Sequence, residues 1–171
     1  MLVLGVDPGT ALTGYAVVEG GRSGKLRALD YGVIRTLPSQ SGPERLAAIH
    51  RAVEELLRQY APAALAVEEL FFRRNVTTAL AVGQARGVVL LAAAQAGVPV
   101  WEYTPSQVKQ AVSGWGNASK QQICYMVKAL LGLRAVPSPD DVGDALAVAL
   151  CHLFFAQGAA GEAFLRAGRS R

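Results

Sequence analysis

The chain opens on an apolar run, residues 2–7, that ends at Asp7 and turns through Pro8-Gly9-Thr10 toward a second apolar run at 13–19. Two strands joined by a tight turn are expected there. A turn over 20–24 follows. Leu26, Leu29, Tyr31, Val33 and Ile34 then stand among polar neighbours, and Tyr31 and Val33 keep a period of two, so a third strand is expected on 29–36. Links this short exclude parallel pairing, because a parallel crossover needs about a dozen residues or more. The sheet therefore starts as an antiparallel meander.

Beyond the polar loop 38–43 the period changes. Leu46, Ile49, Val53, Leu56, Leu57 and Tyr60 form one helical stripe, with Pro43 and Glu44 suited to its first turn and Pro62 to its end. His50, beside that stripe, reads as a boundary residue. Residues 64–68 form a short buried strand ending at Glu68. A helix is expected over 76–96, apolar on too many sides to face one sheet, with Gly83 and Gly87 four apart. That pattern implies that part of this helix meets a second copy of the chain across a two-fold axis.

Residues 98–103 read as a last strand, parallel to its neighbour. Thr104-Pro105 starts a short helix, Gly114, Gly116 and Asn117 interrupt it, and 119–131 is helical again. Pro137-Ser138-Pro139 is a rigid linker into a final helix from Asp140 to about Gln157. The expected architecture is α/β: a mixed five-stranded sheet, three antiparallel strands and then parallel ones, flanked by helices. Residues 1–157 are expected to form one domain and residues 158–171, with Arg166, Arg169 and Arg171, a basic flexible tail.

Composition narrows the class. With 51% apolar and 18% charged residues the chain is globular. The charge-free run Gly87 to Trp101 is too short and interrupted to span a bilayer. No membrane association is expected, and with no secretory signal at Met1 a cytoplasmic location is. Cys124 and Cys151 are too few for a disulfide framework and read as buried free thiols. A net charge of +4 permits a nucleic-acid partner.

Four carboxylates fall at the ends of elements. Asp7 and Glu68 end two strands, and if those strands are neighbours both emerge at one sheet edge. Asp141 and Asp144, three apart, share a helix face. Asp140 points elsewhere and reads as the helix cap. Strand alternation turns Glu69 to the opposite face from Glu68. Clustered carboxylates repel, and oxygen-only donors of this kind suit Mg²⁺ or Mn²⁺. Two such ions about 4 Å apart activate water for phosphodiester cleavage. Arg73, Arg74, Lys109 and Lys120 supply charge for a polyanion.

The stretches GVDPGTALTGYAV, AVEELFFRRN, GQARG, PSQVKQAV and PDDVGDALAVA, in this order and spacing, resemble bacterial Holliday-junction resolvases of the RuvC type, which are ribonuclease H-like nucleases. The resemblance implies a Mg²⁺-dependent homodimeric endonuclease of DNA recombination and repair. It would nick two strands of a four-way junction symmetrically, leaving 5′-phosphate and 3′-hydroxyl ends. Asp7, Glu68, Asp141 and Asp144 would then hold two Mg²⁺ ions per site, with Mn²⁺ able to substitute and Asp7 bridging.

The same resemblance puts Lys109 and Lys120 near the scissile phosphate and the DNA backbone. Phe71, or its neighbour Phe72, would stack at the junction centre, with Arg73, Arg74 and Asn75 beside it on the DNA. Gly83 and Gly87 would lie in the dimer helix, and a branch-migration motor would be a partner. The Pro8-Gly9-Thr10 turn would keep bulk away from the ions and clear a DNA backbone. Two other readings stand behind this one. A related ribonuclease H-like nuclease would act on RNA or another branched substrate. An actin- or sugar-kinase-like protein would use Asp7-Pro8-Gly9-Thr10 around a nucleotide, but 171 residues do not supply its two domains.

Overall fold

The structure, a computed structural model, describes residues 1–21, 24–69 and 76–157. Phe71, Phe72, Arg73, Arg74, Asn75 and the segment 158–171 lie outside the described residues.

Three strands form the expected meander: β1 (Leu2–Asp7), β2 (Leu12–Gly20) and β3 (Leu26–Arg35). The third begins earlier than its alternation indicates, because Leu26 and Arg27 pair with Gly20 and Glu19 beyond a register shift at Val17/Val18. Helix α1 (Gly42–Tyr60) leads to β4 (Ala64–Glu68), and α2 (Val76–Gln95) to β5 (Val100–Tyr103). The chain closes with α3 (Pro105–Ser113), α4 (Lys120–Leu131) and α5 (Asp140–Gln157). The strand order is β3-β2-β1-β4-β5, with β4 parallel to both β1 and β5.

Central β1 is buried on both faces, which is why its sequence is apolar almost throughout. Leu4 and Val6 pack with Ile49, Val53 and Leu57 of α1 and Ala85 and Val89 of α2. Val3 faces the other layer, with Ala66, Trp101 and Tyr103 and the buried residues of α3, α4 and α5. By alternation Gly5 and Asp7 share the face of Val3, and Glu68 shares that of Ala66. Asp7 and Glu68 therefore turn toward α5.

Helix ends follow local chemistry. The Glu44 carboxylate accepts from the Ser41 N–H at 2.7 Å at the start of α1. Its far end closes at Ala61, in the left-handed region at φ 42°, just before Pro62. His50 reaches Gln95 of α2 at 2.8 Å, the boundary role its pattern indicates. Cys124 and Cys151 are buried free thiols. No helix among the described residues is long and apolar enough to cross a membrane.

Candidate nuclease site

The site is assembled at the ends of β1 and β4 by helix α5. Gly5 and Gly14 let that helix lie against the sheet. A Cβ on Gly5 would come within 2.1 Å of the Ala145 carbonyl oxygen, and one on Gly14 within 2.0 Å of that of Asp141. Gly14 is also the cross-strand partner of Asp7. The close approach thus sets the first turns of α5, and with them Asp141 and Asp144, beside Asp7. Sequence reading used neither glycine; that Gly5 shares a strand face with Asp7 was the available signal.

Gly9 has a local task. Its Cβ would stand 2.3 Å from the Leu12 carbonyl oxygen, and the Thr13 hydroxyl donates to the Gly9 carbonyl at 2.7 Å. The turn itself therefore requires this glycine for a local reason.

Two helix caps place the lysines. Directly after β5, the Thr104 side chain accepts from the Gln107 N–H at 3.2 Å, and the Gln107 side chain accepts from the Thr104 N–H at 2.8 Å. Ser119 and Gln122 repeat this at the start of α4. Each such cap is worth about 1 kcal/mol. Lys109 and Lys120 then line one cleft of about 230 Å³ with Glu68, Asp144, Pro105, Val108 and Ile123.

The electrostatics follow from burial and crowding. Burial first, then the charges of Asp144, Asp141 and Glu68, push the Asp7 carboxyl up to about 7, although Lys120 opposes them. Burial and Asp144 raise the pKa of Glu68, against the pull of Lys109 and Lys120. Asp144 is raised by burial and by Asp140 and Asp141, against its hydrogen bond from Lys120. Partial burial works against the charge on Lys120, but bonds to Asp144 and Asp140 outweigh it and hold the ammonium above its ordinary range. The Lys120 Nζ lies 2.9 Å from Asp144 and 3.2 Å from Asp140. Asp140 thus turns to the lysine of the site, which corrects its reading as a cap pointing elsewhere.

Among the described residues no three His, Cys, Asp or Glu side chains stand assembled as a metal cage. The donor chemistry nevertheless suits a hard cation. All four candidate ligands are carboxylates, and three of them raise the pKa of the fourth, Asp7. That is the signature of a negative potential that a divalent ion relieves.

A family model described as "Crossover junction endodeoxyribonuclease RuvC" matches residues 3–152. This chain belongs to the RuvC family. The RuvC of Moorella thermoacetica is 59% identical over 156 residues, covering 91% of this chain and 93% of its own. The Thermus thermophilus RuvC structure superposes with a TM-score of 0.84 at 46% identity, covering 92% of this chain and 96% of that one. T. thermophilus RuvC in complex with a Holliday junction substrate gives 0.85 at 42%, covering 94% and 98%. The RuvC family thus accounts for the fold and all five matching stretches. Within the fourth of them, PSQVKQAV, lies Lys109; within the third, GQARG, sequence reading used Gly83 and Gly87 but passed over Arg86. Arg86 is 8% exposed and donates to the Glu68 carbonyl at 2.6 Å.

Proposed function

We propose that this protein is a structure-selective DNA endonuclease that resolves four-way junctions by paired, symmetric nicks. The observation that carries the reading is the meeting of Asp7, Glu68, Asp141 and Asp144 on the α5 side of the sheet, with Lys109 and Lys120 alongside. Membership of the RuvC family supplies the substrate class.

Asp7, Glu68, Asp141 and Asp144 would hold divalent cations, with two Mg²⁺ per site, or Mn²⁺ in their place, as the working assignment. Bound there, such ions supply an activated water and stabilise the leaving oxygen of a phosphodiester. The chain's own part is to gather these carboxylates on one rigid strand–helix contact, so that each nick leaves a 5′-phosphate and a 3′-hydroxyl. Lys120 stays protonated throughout the neutral range, so it serves as a fixed positive charge for the phosphate and not as a base. Lys109 shares its cleft and adds a second charge.

Symmetric nicking requires two sites, and α2 supports a dimer. Leu80 is 65% exposed and Leu91 51%, and Gly87 on the same stripe has open space where a Cβ would stand. A large apolar surface of this kind is covered when two copies pair. Gly83 borders that stripe. Residues 1–157 form the nuclease domain in this reading, and 158–171 a basic tail. Phe71 or Phe72, with Arg73, Arg74 and Asn75, would meet the junction centre. A branch-migration motor would deliver the junction in the cytoplasm.

A nicking assay on a synthetic four-way junction, beside linear duplex and an RNA/DNA hybrid, tests the reading. Mg²⁺-dependent paired nicks confined to the junction are expected. Preference for the hybrid would replace this reading with that of a related nuclease acting on RNA.

A further inference from the structure

Among the described residues Arg86 is the charged one buried inside the α2 layer. From α2 its guanidinium reaches two acceptors on two strands, the Glu68 carbonyl of β4 at 2.6 Å and the Glu102 carboxylate of β5. Its side chain is 9% exposed, whereas that of Glu102 is 45% exposed. Burying a guanidinium is costly, and a structure that needed only an ion pair with Glu102 would satisfy it at the surface. The second bond is the informative one. It is made to the backbone of the residue whose carboxylate enters the candidate metal site.

The geometry separates the two sides of Glu68. Glu68 stands in register with Tyr103, whose side chain packs in the α5 layer, while Glu102 is in register with Val67, which packs against α1 and α2. Arg86 thus grips the main chain of Glu68 from one side of the sheet while the carboxylate of Glu68 is presented on the other. On the next residue the Glu69 N–H donates to the Tyr103 carbonyl at 2.8 Å. Among the described residues Glu68 and Tyr103 are the last register pair of β4 and β5, and the Arg86 bond is made at that pair.

We propose that Arg86 is a positioning residue for the metal site. Its hydrogen bond fixes the Glu68 carbonyl, which sets the peptide orientation from which the Glu68 carboxylate reaches the ions. Arg86 acts through Glu68 and touches neither substrate nor metal. The cations that act directly on the Glu68 carboxyl are Lys109 and Lys120. The proposal rests on Glu68 being a metal ligand, as proposed above.

The sign of one measurement separates position from charge. If Arg86 mattered only as a positive charge, its removal would strengthen cation binding at the carboxylates. If it positions Glu68, its removal weakens that binding by about tenfold or more, the usual size for a partner behind a metal ligand. The experiment titrates Mn²⁺ alone into full-length wild type, R86Q, R86K, E102Q and E68Q, followed by electron paramagnetic resonance, with thermal melting and junction nicking measured in parallel.

Weaker Mn²⁺ binding by folded R86Q, a lower nicking rate at saturating junction with an unchanged KM, and partial recovery in R86K are expected. E102Q, which keeps the bond to the Glu68 carbonyl, is expected to bind Mn²⁺ as wild type does. Unchanged or tighter binding by R86Q overturns the proposal, as does a loss in E102Q equal to that in R86Q. If R86Q does not fold, R86K decides: weaker binding supports the proposal, and unchanged binding overturns it. E68Q separates the two readings. Wild-type Mn²⁺ binding by E68Q would remove Glu68 from the site, whereas weak binding by E68Q beside normal binding by R86Q would overturn the role of Arg86 alone.

Discussion

Gly14 and Asp141 touch backbone to backbone: a Cβ on the glycine would fall 2.0 Å from the aspartate's carbonyl oxygen. The contact joins the strand opposite Asp7 to the helix that carries the other acidic residues. G14A must push α5 outward or fail to pack. A loss of about 2 kcal/mol or more in urea unfolding is expected, together with loss of nicking beyond what the unfolded fraction explains. Wild-type stability and rate in G14A would show that α5 does not set the site.

Asp7 is held near 7 by burial and by three neighbouring carboxylates. D7N removes a charge that the fold tolerates at a cost. Nicking should vanish, junction binding should persist or tighten, and stability at pH 8 should rise by about 1–2 kcal/mol. Gel-shift and melting experiments on the same preparation check all three outcomes. A destabilised, junction-blind D7N would make Asp7 a structural residue.

Lys120 bridges Asp140 and Asp144 but is half exposed, so its ion pairs add little to stability. K120M should therefore melt close to wild type while nicking falls by about 10²-fold or more. Single-turnover rates on a saturated junction make the comparison. K120R, which keeps the charge, should recover part of the loss.

The exposed stripe of Leu80, Gly87 and Leu91 predicts a second effect. G87E meets open space within one protomer, so the fold should survive, but a charge in an apolar interface should prevent pairing. Light scattering should report a monomer, and paired nicking should give way to slow, uncoupled single nicks. A dimeric G87E would move the interface elsewhere.

His152 is 1% exposed and its Nδ1 shares a hydrogen bond of 2.7 Å with the Tyr103 hydroxyl. Burial pulls its pKa from 6.5 down to about 4. The unfolded chain therefore takes up a proton before the folded one does. The stabilisation is complete above pH 6.5 and is lost as pH falls toward 4, by up to about 3 kcal/mol. In H152Q, whose amide cannot titrate, urea midpoints should fall less over that window than in wild type. Equal slopes would show that His152 does not drive the loss.

The element order, the antiparallel start and the parallel strands were legible from periodicity and link length, since those depend on neighbours a few residues apart. The first residues of β3 were not, because Leu26 and Arg27 are held by pairing across a register shift, which no local alternation reports. The four carboxylates were legible as ends of elements, and the motif order pointed to the RuvC family. Asp140 was misread because its partner, Lys120, lies twenty residues away in the chain and meets it only across α4 and α5.

By itself, then, the sequence determined where strands and helices alternate and which side chains carry charge at their ends. Those properties are local, or repeat with a short period. Only the tertiary structure decided that Gly5 and Gly14 admit α5 against the sheet and that Arg86 grips Glu68 from behind. Each of these is a contact between backbones or side chains distant in sequence. The same residue types would read identically wherever the fold had placed them.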